Sequence, residues 1–208
     1  MSSRKFFLIG IVVMVLSSIA FLSTRGCVDG NCKNGKGKFK YASLSTYEGE
    51  WLAGLKHGYG VQEYGTFSKW AGEKYEGYWK DDKRHGQGKY TWTDGGIYEG
   101  LYEKGEKLKG KHTYGSKSEW AGDWYQGDFK KDDRHGYGRY YLSKWDITYK
   151  GTFKDNLMDG EGKMIFGQNS LNPGFVFEGE WIGGSNKEFQ DIINNLSNKE
   201  KDNTLISL

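Results

Sequence analysis

The chain has 208 residues, 30 basic against 27 acidic, with 32 glycines, one proline and 16% aromatic residues within a hydrophobic total of only 36%. That length bounds one sizeable domain and leaves no room for a second, catalytic one beside whatever the sequence repeats. Outside Arg4 and Lys5 the balance is 28 basic to 27 acidic residues, in which nothing suggests a nucleic-acid partner, and a core so poor in aliphatic residues has to be built from rings and glycines.

The first predicted element is a hydrophobic helix over Phe6 to Leu22, FFLIGIVVMVLSSIAFL, behind Arg4 and Lys5. Its length reaches roughly 26 Å against a hydrocarbon core of about 30 Å, short but tolerable with local thinning. Ser18-Ile19-Ala20 offers small residues for cleavage, so residues 1–24 read as a signal peptide or a transmembrane anchor. Either makes the protein membrane-anchored or secreted, with an extracytoplasmic body, because positive charge ahead of such a segment favours an inside N-terminus.

Residues 25–33 then read as a linker carrying Cys27 and Cys32. In an exported chain this pair reads as a disulfide and not a metal site, since zinc needs two further ligands and none is nearby. A lipid-modified Cys27 is the alternative, although Thr24 and Arg25 stand where small or aliphatic residues are usual. Lys33, Lys36, Lys38 and Lys40 form a cluster that would suit anionic headgroups, but the last three alternate along a predicted strand and read as its solvated face.

From residue 34 to 184 the chain repeats. Aligned on the ring before glycine, the units start at Tyr47, Tyr75, Tyr98, Tyr125, Tyr149 and Phe177, spaced 28, 23, 27, 24 and 28 residues apart. Within a unit, Tyr47, Gly49 and Trp51, or Tyr75, Gly77 and Trp79, fall at i, i+2 and i+4, the period of a strand with all three on one face. A short charged stretch follows, then His57, Gly58 and Gly60, or His85, Gly86 and Gly88, so each unit predicts a β-hairpin. Glycine inside a strand costs roughly 0.5–1 kcal/mol relative to alanine, whereas burying a large ring returns about 1.5–3 kcal/mol. The glycines are therefore expected to seat rings from the neighbouring unit, which only a stack of hairpins supplies.

The pattern YxGxW, then HGxG after a short turn, resembles the membrane occupation and recognition nexus (MORN) repeat over roughly Asn34 to Gly184. Close variants are Tyr125 and Gly127 with His135, Gly136 and Gly138, and Tyr149 and Gly151 with Asp159 in place of histidine. GNCKNGKGKFKY, from Gly30 to Tyr41, looks like a half-unit that opens such arrays. The resemblance implies an all-β fold: an elongated, single-layer stack of antiparallel hairpins used as a scaffold, a spacer or a binding surface, with phospholipid contact proposed for some members. It implies no catalysis without an added domain and no cofactor. The third unit, YEGLYEKGEKLKGKHTYG, departs from the pattern: it lacks His-Gly and is one residue short in its turn.

Long connections alternate with short ones, so the true period is two hairpins, with spacings of 51, 50 and 51 residues. The extra residues fall in SKWAGEKY (68–75) and SEWAGDWY (118–125), and a third long connection, NSLNPGFVF, lacks the tryptophan. Trp70, Trp120 and Trp124 thus lie outside the ring-glycine pattern and are candidate ligand- or partner-binding residues, with local cover of the sheet edge as the competing reading. Residues 185–208 are expected to hold a short amphipathic helix, capped by Ser185 and Glu188 and carrying Phe189, Ile192, Ile193 and Leu196 over the last strand, then a mobile tail. A partner-binding helix is the alternative there.

No catalytic or metal set emerges. His57, His85 and His135 share one register beside turns and so build a row, whereas an active site needs convergence. Gly105 to Lys111 matches part of a phosphate loop, but His112 stands where Ser or Thr would reach magnesium. The expected function is a non-enzymatic scaffold or protein-binding module on the outer side of a membrane; the alternative is a carbohydrate- or phospholipid-binding envelope module. Expected partners are a protein, a membrane lipid or a glycan, with the membrane reached through the N-terminal segment and no nucleic acid.

Overall fold

A computed structural model describes residues 25–192 and 194. The apolar run at 6–22, Ile193, Leu196 and the tail beyond lie outside the described residues. Among those described, no helix is long and apolar enough to cross a membrane. The chain divides into two units, residues 1–83 and 84–208. The first holds β1 (Gly26–Gly30), β2 (Gly35–Lys40), β3 (Thr46–Leu52), β4 (Leu55–Glu63) and β5 (Lys74–Lys80). The second begins with β6 (Lys83–Thr91) and continues through β7 (Ile97–Glu103), β8 (Glu106–Thr113), β9 (Trp124–Lys130) and β10 (Asp133–Leu142). It ends with β11 (Ile147–Lys154), β12 (Leu157–Phe166) and β13 (Val176–Trp181). Within each unit every strand pairs antiparallel with the next in sequence, giving one layer of sheet.

Residues 26–30, expected in a linker, are β1, bulged between Cys27 and Asp29 and paired with β2. Cys27 and Cys32 are bonded across this first hairpin, with Cα atoms 5.8 Å apart. The turns of the later hairpins are two-residue turns with positive φ at both positions, as at Ala53-Gly54, Asp81-Asp82, Lys131-Asp132 and Asp155-Asn156. This is the turn geometry that suits the right-handed twist of paired strands. Asp82 is more than a solvated turn residue, because its Oδ1 accepts the Lys56 N–H of the preceding hairpin at 2.9 Å. Asp132 and Asn156 do the same for Lys107 and Arg134.

The register puts one glycine of each strand in a single row. In the first unit it runs Gly30, Gly37, Gly49, Gly60 and Gly77. In the second it runs from Gly88 and Gly100 through Gly110, Gly127, Gly138, Gly151 and Gly162 to Gly179. Over the pairs Gly49/Gly60, Gly100/Gly110, Gly127/Gly138 and Gly151/Gly162 the covering ring is not the neighbour's, as expected, but the tyrosine of the same hairpin. A Cβ added at Gly60 would stand 2.3 Å from the Tyr47 hydroxyl, and one at Gly138 2.4 Å from Tyr125 Cε2. The reason is the hydroxyl, which reaches the carbonyl three residues on: Tyr47 to Glu50, Tyr98 to Leu101, Tyr125 to Asp128 and Tyr149 to Thr152, at 2.8–3.1 Å.

That reach explains His-Gly-x-Gly. Its second glycine lies beneath the tyrosine, while its first, such as Gly58 or Gly136, takes a φ of 54° or 66° in a bulge of the second strand. A side chain there would be strained. The third hairpin, without His-Gly, skips one residue, Leu108, between Lys107 and Lys109.

The neighbouring hairpin supplies an edge-on ring instead. Trp79 meets Tyr47 at 5.5 Å, Phe129 meets Tyr98 at 5.3 Å, Phe153 meets Tyr125 at 5.0 Å and Trp181 meets Tyr149 at 5.5 Å, all near perpendicular. Such pairs contribute about 0.5–1.5 kcal/mol beyond the area they bury. Trp51 and Trp79 also donate their indole N–H back to Gly37 and Gly60 carbonyls at 3.0 and 3.2 Å. At the C-terminal end, Phe189 closes the row against Phe177 and Trp181. The helical turns from residue 187 are capped by Asn186, whose Oδ1 accepts the Phe189 N–H, and not by the expected Ser185. Ser185 bonds back to the Ile182 carbonyl instead.

Gly60→Ala and Gly138→Ala are each expected to destabilise the fold by about 1–3 kcal/mol through overpacking against the tyrosine. Gly54→Ala, where an added Cβ meets nothing within 4 Å, is expected to cost about 1 kcal/mol through positive-φ strain alone. Thermal melts of the three variants check the order; equal shifts would remove the seating role.

Candidate functional site

The repeats leave two places outside the ring row for recognition: the long connections and the other face of the sheet. The connections at 64–73 and 114–123 share one local fold. Tyr64 N–H bonds Glu73 O and Ser68 N–H bonds Gly65 O, as Tyr114 bonds Asp123 and Ser118 bonds Gly115, at 2.9–3.0 Å. Ser68 and Ser118 hydroxyls accept the N–H of Trp70 and Trp120, an ST turn that fixes where each indole leaves the backbone. Trp70 rests on Tyr64 at 5.4 Å with Lys69 Nζ 4.1 Å above its ring, and Trp120 rests on Tyr114 at 5.7 Å. One face of each indole is thus covered locally, yet the residues remain 45% and 50% exposed. The third connection keeps the backbone bonds, Ser170 to Gly167 and Phe166 to Phe175, but presents Leu171 and Asn172 in place of the indole.

The second connection is anchored by Asp123, buried at 6% exposure. Its carboxylate accepts the Tyr140 hydroxyl at 2.9 Å and both the N–H and hydroxyl of Ser143 at 2.8 Å. Spacing alone does not single out this residue, since it reads as one more surface acid. Trp124 separates from Trp120: it opens β9 and, alternating with buried Asp123 and Tyr125, faces the opposite side of the sheet. There it stacks on Tyr141 at 5.8 Å, flanked by Lys111 and Arg139.

The turn histidines lie apart from these connections. His57 Nδ1 stands 3.7 Å from Asp81 and His135 Nδ1 3.7 Å from Asp155, each aspartate in the next turn along. Among the described residues no three or more His, Cys, Asp or Glu side chains form a metal-holding group. A feature the ring-glycine pattern conceals is the basic residue ahead of the bulge, which inserts between rings. Lys56 lies 4.2 Å over Trp79, Lys107 over Trp92, Tyr98 and Phe129, and Arg134 4.6 Å over Tyr140. Burial lowers the Lys107 ammonium below its ordinary range, with Arg84 adding to the effect against the carboxylates of Asp132 and Asp133. Recurring Lys-His-Gly at 56–58 and Arg-His-Gly at 84–86 and 134–136 is the sequence signal for this row.

Hairpins seated on registered glycines and joined edge to edge by rings define a repeat protein whose exposed surfaces are set by what lies between the motifs. The MORN repeat matches residues 27–46, 47–68, 75–97, 125–147 and 149–170, more than half of the chain. The chain belongs to the MORN repeat family, and is a repeat scaffold or binding module. The hairpin of β7 and β8, which lacks His-Gly, falls outside the matches apart from its first residue, Ile97. No curated protein matches the chain.

His112 gives this region a pH dependence. It stacks on Tyr114 at 4.4 Å and lies tilted against Trp92 at 4.8 Å. Burial, then Lys107 and Arg134, lowers its imidazole from 6.5 to about 4. The unfolded chain takes up a proton near the ordinary value while the folded chain refuses it until about pH 4, so stability is full above pH 6.5 and falls as pH drops between the two. Discounted for partial exposure, the loss across that window is about 1–2 kcal/mol. His112→Phe is expected to flatten this part of the stability–pH curve; a curve parallel to the parent's would assign the acid sensitivity elsewhere.

Proposed function

We propose that this chain is a non-enzymatic scaffold or protein-binding module working on the outer side of a membrane, anchored or released there through residues 6–22. The observation that carries the binding part is the pair of half-exposed indoles, Trp70 and Trp120, held at equivalent places of two connections by the same hydrogen bonds. Fixed aromatic side chains lose little freedom on contact and supply large amphipathic area, which is why they anchor interfaces. The outer placement is supported by the Cys27–Cys32 bond, since such bonds persist in oxidising compartments. A carbohydrate- or phospholipid-binding envelope module is the second reading, favoured by the same open indole faces, on which a sugar ring stacks as readily as a protein side chain. Catalysis forms no part of the proposal, because His57 and His135 each face one aspartate, in separate stretches of sheet, and do not converge on one point.

The test is the double variant Trp70→Ala, Trp120→Ala beside Trp79→Ala. The double variant is expected to keep the parent's melting temperature within the error of measurement while capture of a partner from native membranes falls by about tenfold or more. Trp79→Ala, emptying a core position 5% exposed, is expected to lose about 3–5 kcal/mol of stability. If the double variant unfolds as readily as Trp79→Ala, the indoles serve packing and their binding role is refuted.

A further inference from the structure

On the face of the second unit opposite the ring row, charge is sorted by row. The residues just before the row glycines of β11 and β13, and just after those of β10 and β12, stand in register: Arg139 opposite Lys150, Lys150 opposite Lys163, Lys163 opposite Glu178. The row on the other side of the glycines holds Tyr137 opposite Thr152 and Glu161 opposite Glu180. Like charges directly opposite across a strand pair are destabilising, so both placements cost the fold something. Only Lys163 has an ion pair, with Glu178 at the end of its row. Arg139 and Lys150 have no carboxylate within 4.0 Å among the described residues.

The repeat does not require this arrangement. At the equivalent place in the first unit, Lys38 stands opposite Glu48 and is paired with it at 2.9 Å, while Lys36 stands opposite Glu50 across the glycines. The acid that follows the tyrosine in Tyr47-Glu48, Tyr75-Glu76 and Tyr98-Glu99 is replaced by Gln126 and Lys150 in the next two repeats, which is what leaves the basic row unneutralised. Between the two rows lies an open groove of about 650 Å³ over Gly151, Gly162 and Gly179, walled by Lys150, Lys163 and its partner Glu178 on one side and by Tyr137, Glu161 and Glu180 on the other. Tyr137 is 60% exposed.

We propose that this groove binds a linear acidic polysaccharide of uronate type, running across the strands. Each uronate ring carries one carboxylate, which meets Lys150 and Lys163 in the groove or Arg139, opposite Lys150 in the same row and just beyond the groove's lining. Its hydroxyls on the other side donate to the carboxylates of Glu161 and Glu180, and Tyr137 offers a ring for an apolar sugar face. Successive cations on neighbouring strands are set about 4.8 Å apart at the backbone, close to the advance of a glycan by one ring. A polyanion without hydroxyl donors, such as an acidic peptide or a single nucleic-acid strand, would be attracted by one wall and repelled by the other.

The experiment titrates the full-length chain, in detergent, with linear oligogalacturonate, its methyl ester, a neutral cello-oligosaccharide, polyglutamate and oligothymidylate. Oligogalacturonate is expected to bind at least about tenfold more tightly than the other four. Arg139→Gln with Lys150→Gln should weaken it by about tenfold or more, and Lys38→Gln and the Trp70/Trp120 double variant should leave it unchanged. Glu161→Ala with Glu180→Ala separates the account from simple charge attraction: it should weaken oligogalacturonate binding, whereas attraction alone predicts strengthening. The proposal is overturned if oligogalacturonate fails to bind, if the glutamate variant binds more tightly, or if polyglutamate or oligothymidylate matches it. The last result would make the groove an acidic-protein or nucleic-acid surface. Because the indole variant is among the controls, failure here leaves the binding reading of Trp70 and Trp120 standing, and failure there leaves the groove.

Discussion

A tyrosine ring lying on two glycines that face each other across a strand pair is the contact on which the rest of this protein depends. With a Cβ at either position the ring would be lifted off the backbone, as the distance from Gly138 to the Tyr125 ring makes plain. Seated, the ring is fully buried at Tyr47, Tyr75, Tyr98, Tyr125 and Tyr149, and its hydroxyl satisfies a carbonyl three residues on, beside the bulge that the second strand needs to accommodate it. A hairpin of this kind has filled its own centre but leaves the ring edge open. The edge is closed by the second ring of the next hairpin, so each repeat is locally specified and yet incomplete alone, as in repeat proteins generally.

This economy decides where function has room. One face of the sheet is given over to rings and to the basic side chains set between them, Lys107 and Arg134 among the described rows, which lie too deep among rings to serve as free surface charges. The glycines and the turns are fixed by backbone demands. What remains variable is the face opposite the rings and the connections inserted every second hairpin, and both carry features the repeat does not require: half-exposed indoles at Trp70 and Trp120, and sorted charge beside Gly151 and Gly162. Recognition placed on those surfaces can change without disturbing the core.

Strand, turn and repeat were legible because alternation with period two, positive-φ turn residues and a recurring motif each leave a direct mark on sequence. The seating of the ring was not, since alternation says which face Tyr47 points to and not that it leans along its own strand toward Glu50. For the same reason Trp124 reads as part of a connection, although pairing with Thr113 and Tyr141 makes it the first residue of β9. Cys27 and Cys32 mark a bridge more clearly than they mark β1, whose pairing depends on Phe39 and Lys38 across the turn. Capping differed by one residue because Ser185 and Asn186 both suit the position, and the choice rests on which carbonyl, Ile182 or Glu180, lies within reach. The indoles of the connections were visible as departures from the motif, whereas the charge sorting emerges only once the register sets Lys150 against Lys163.

The seating claim is tested most directly by a double-mutant cycle between Gly138→Ala and Tyr125→Leu, read by chemical denaturation. If the glycine exists to receive the ring, alanine at 138 costs about 1–3 kcal/mol in the parent and much less once the ring is replaced, a coupling of at least about 1 kcal/mol. Additive effects, within about 0.5 kcal/mol, would show that the glycine and the tyrosine answer to separate demands and would contradict the account.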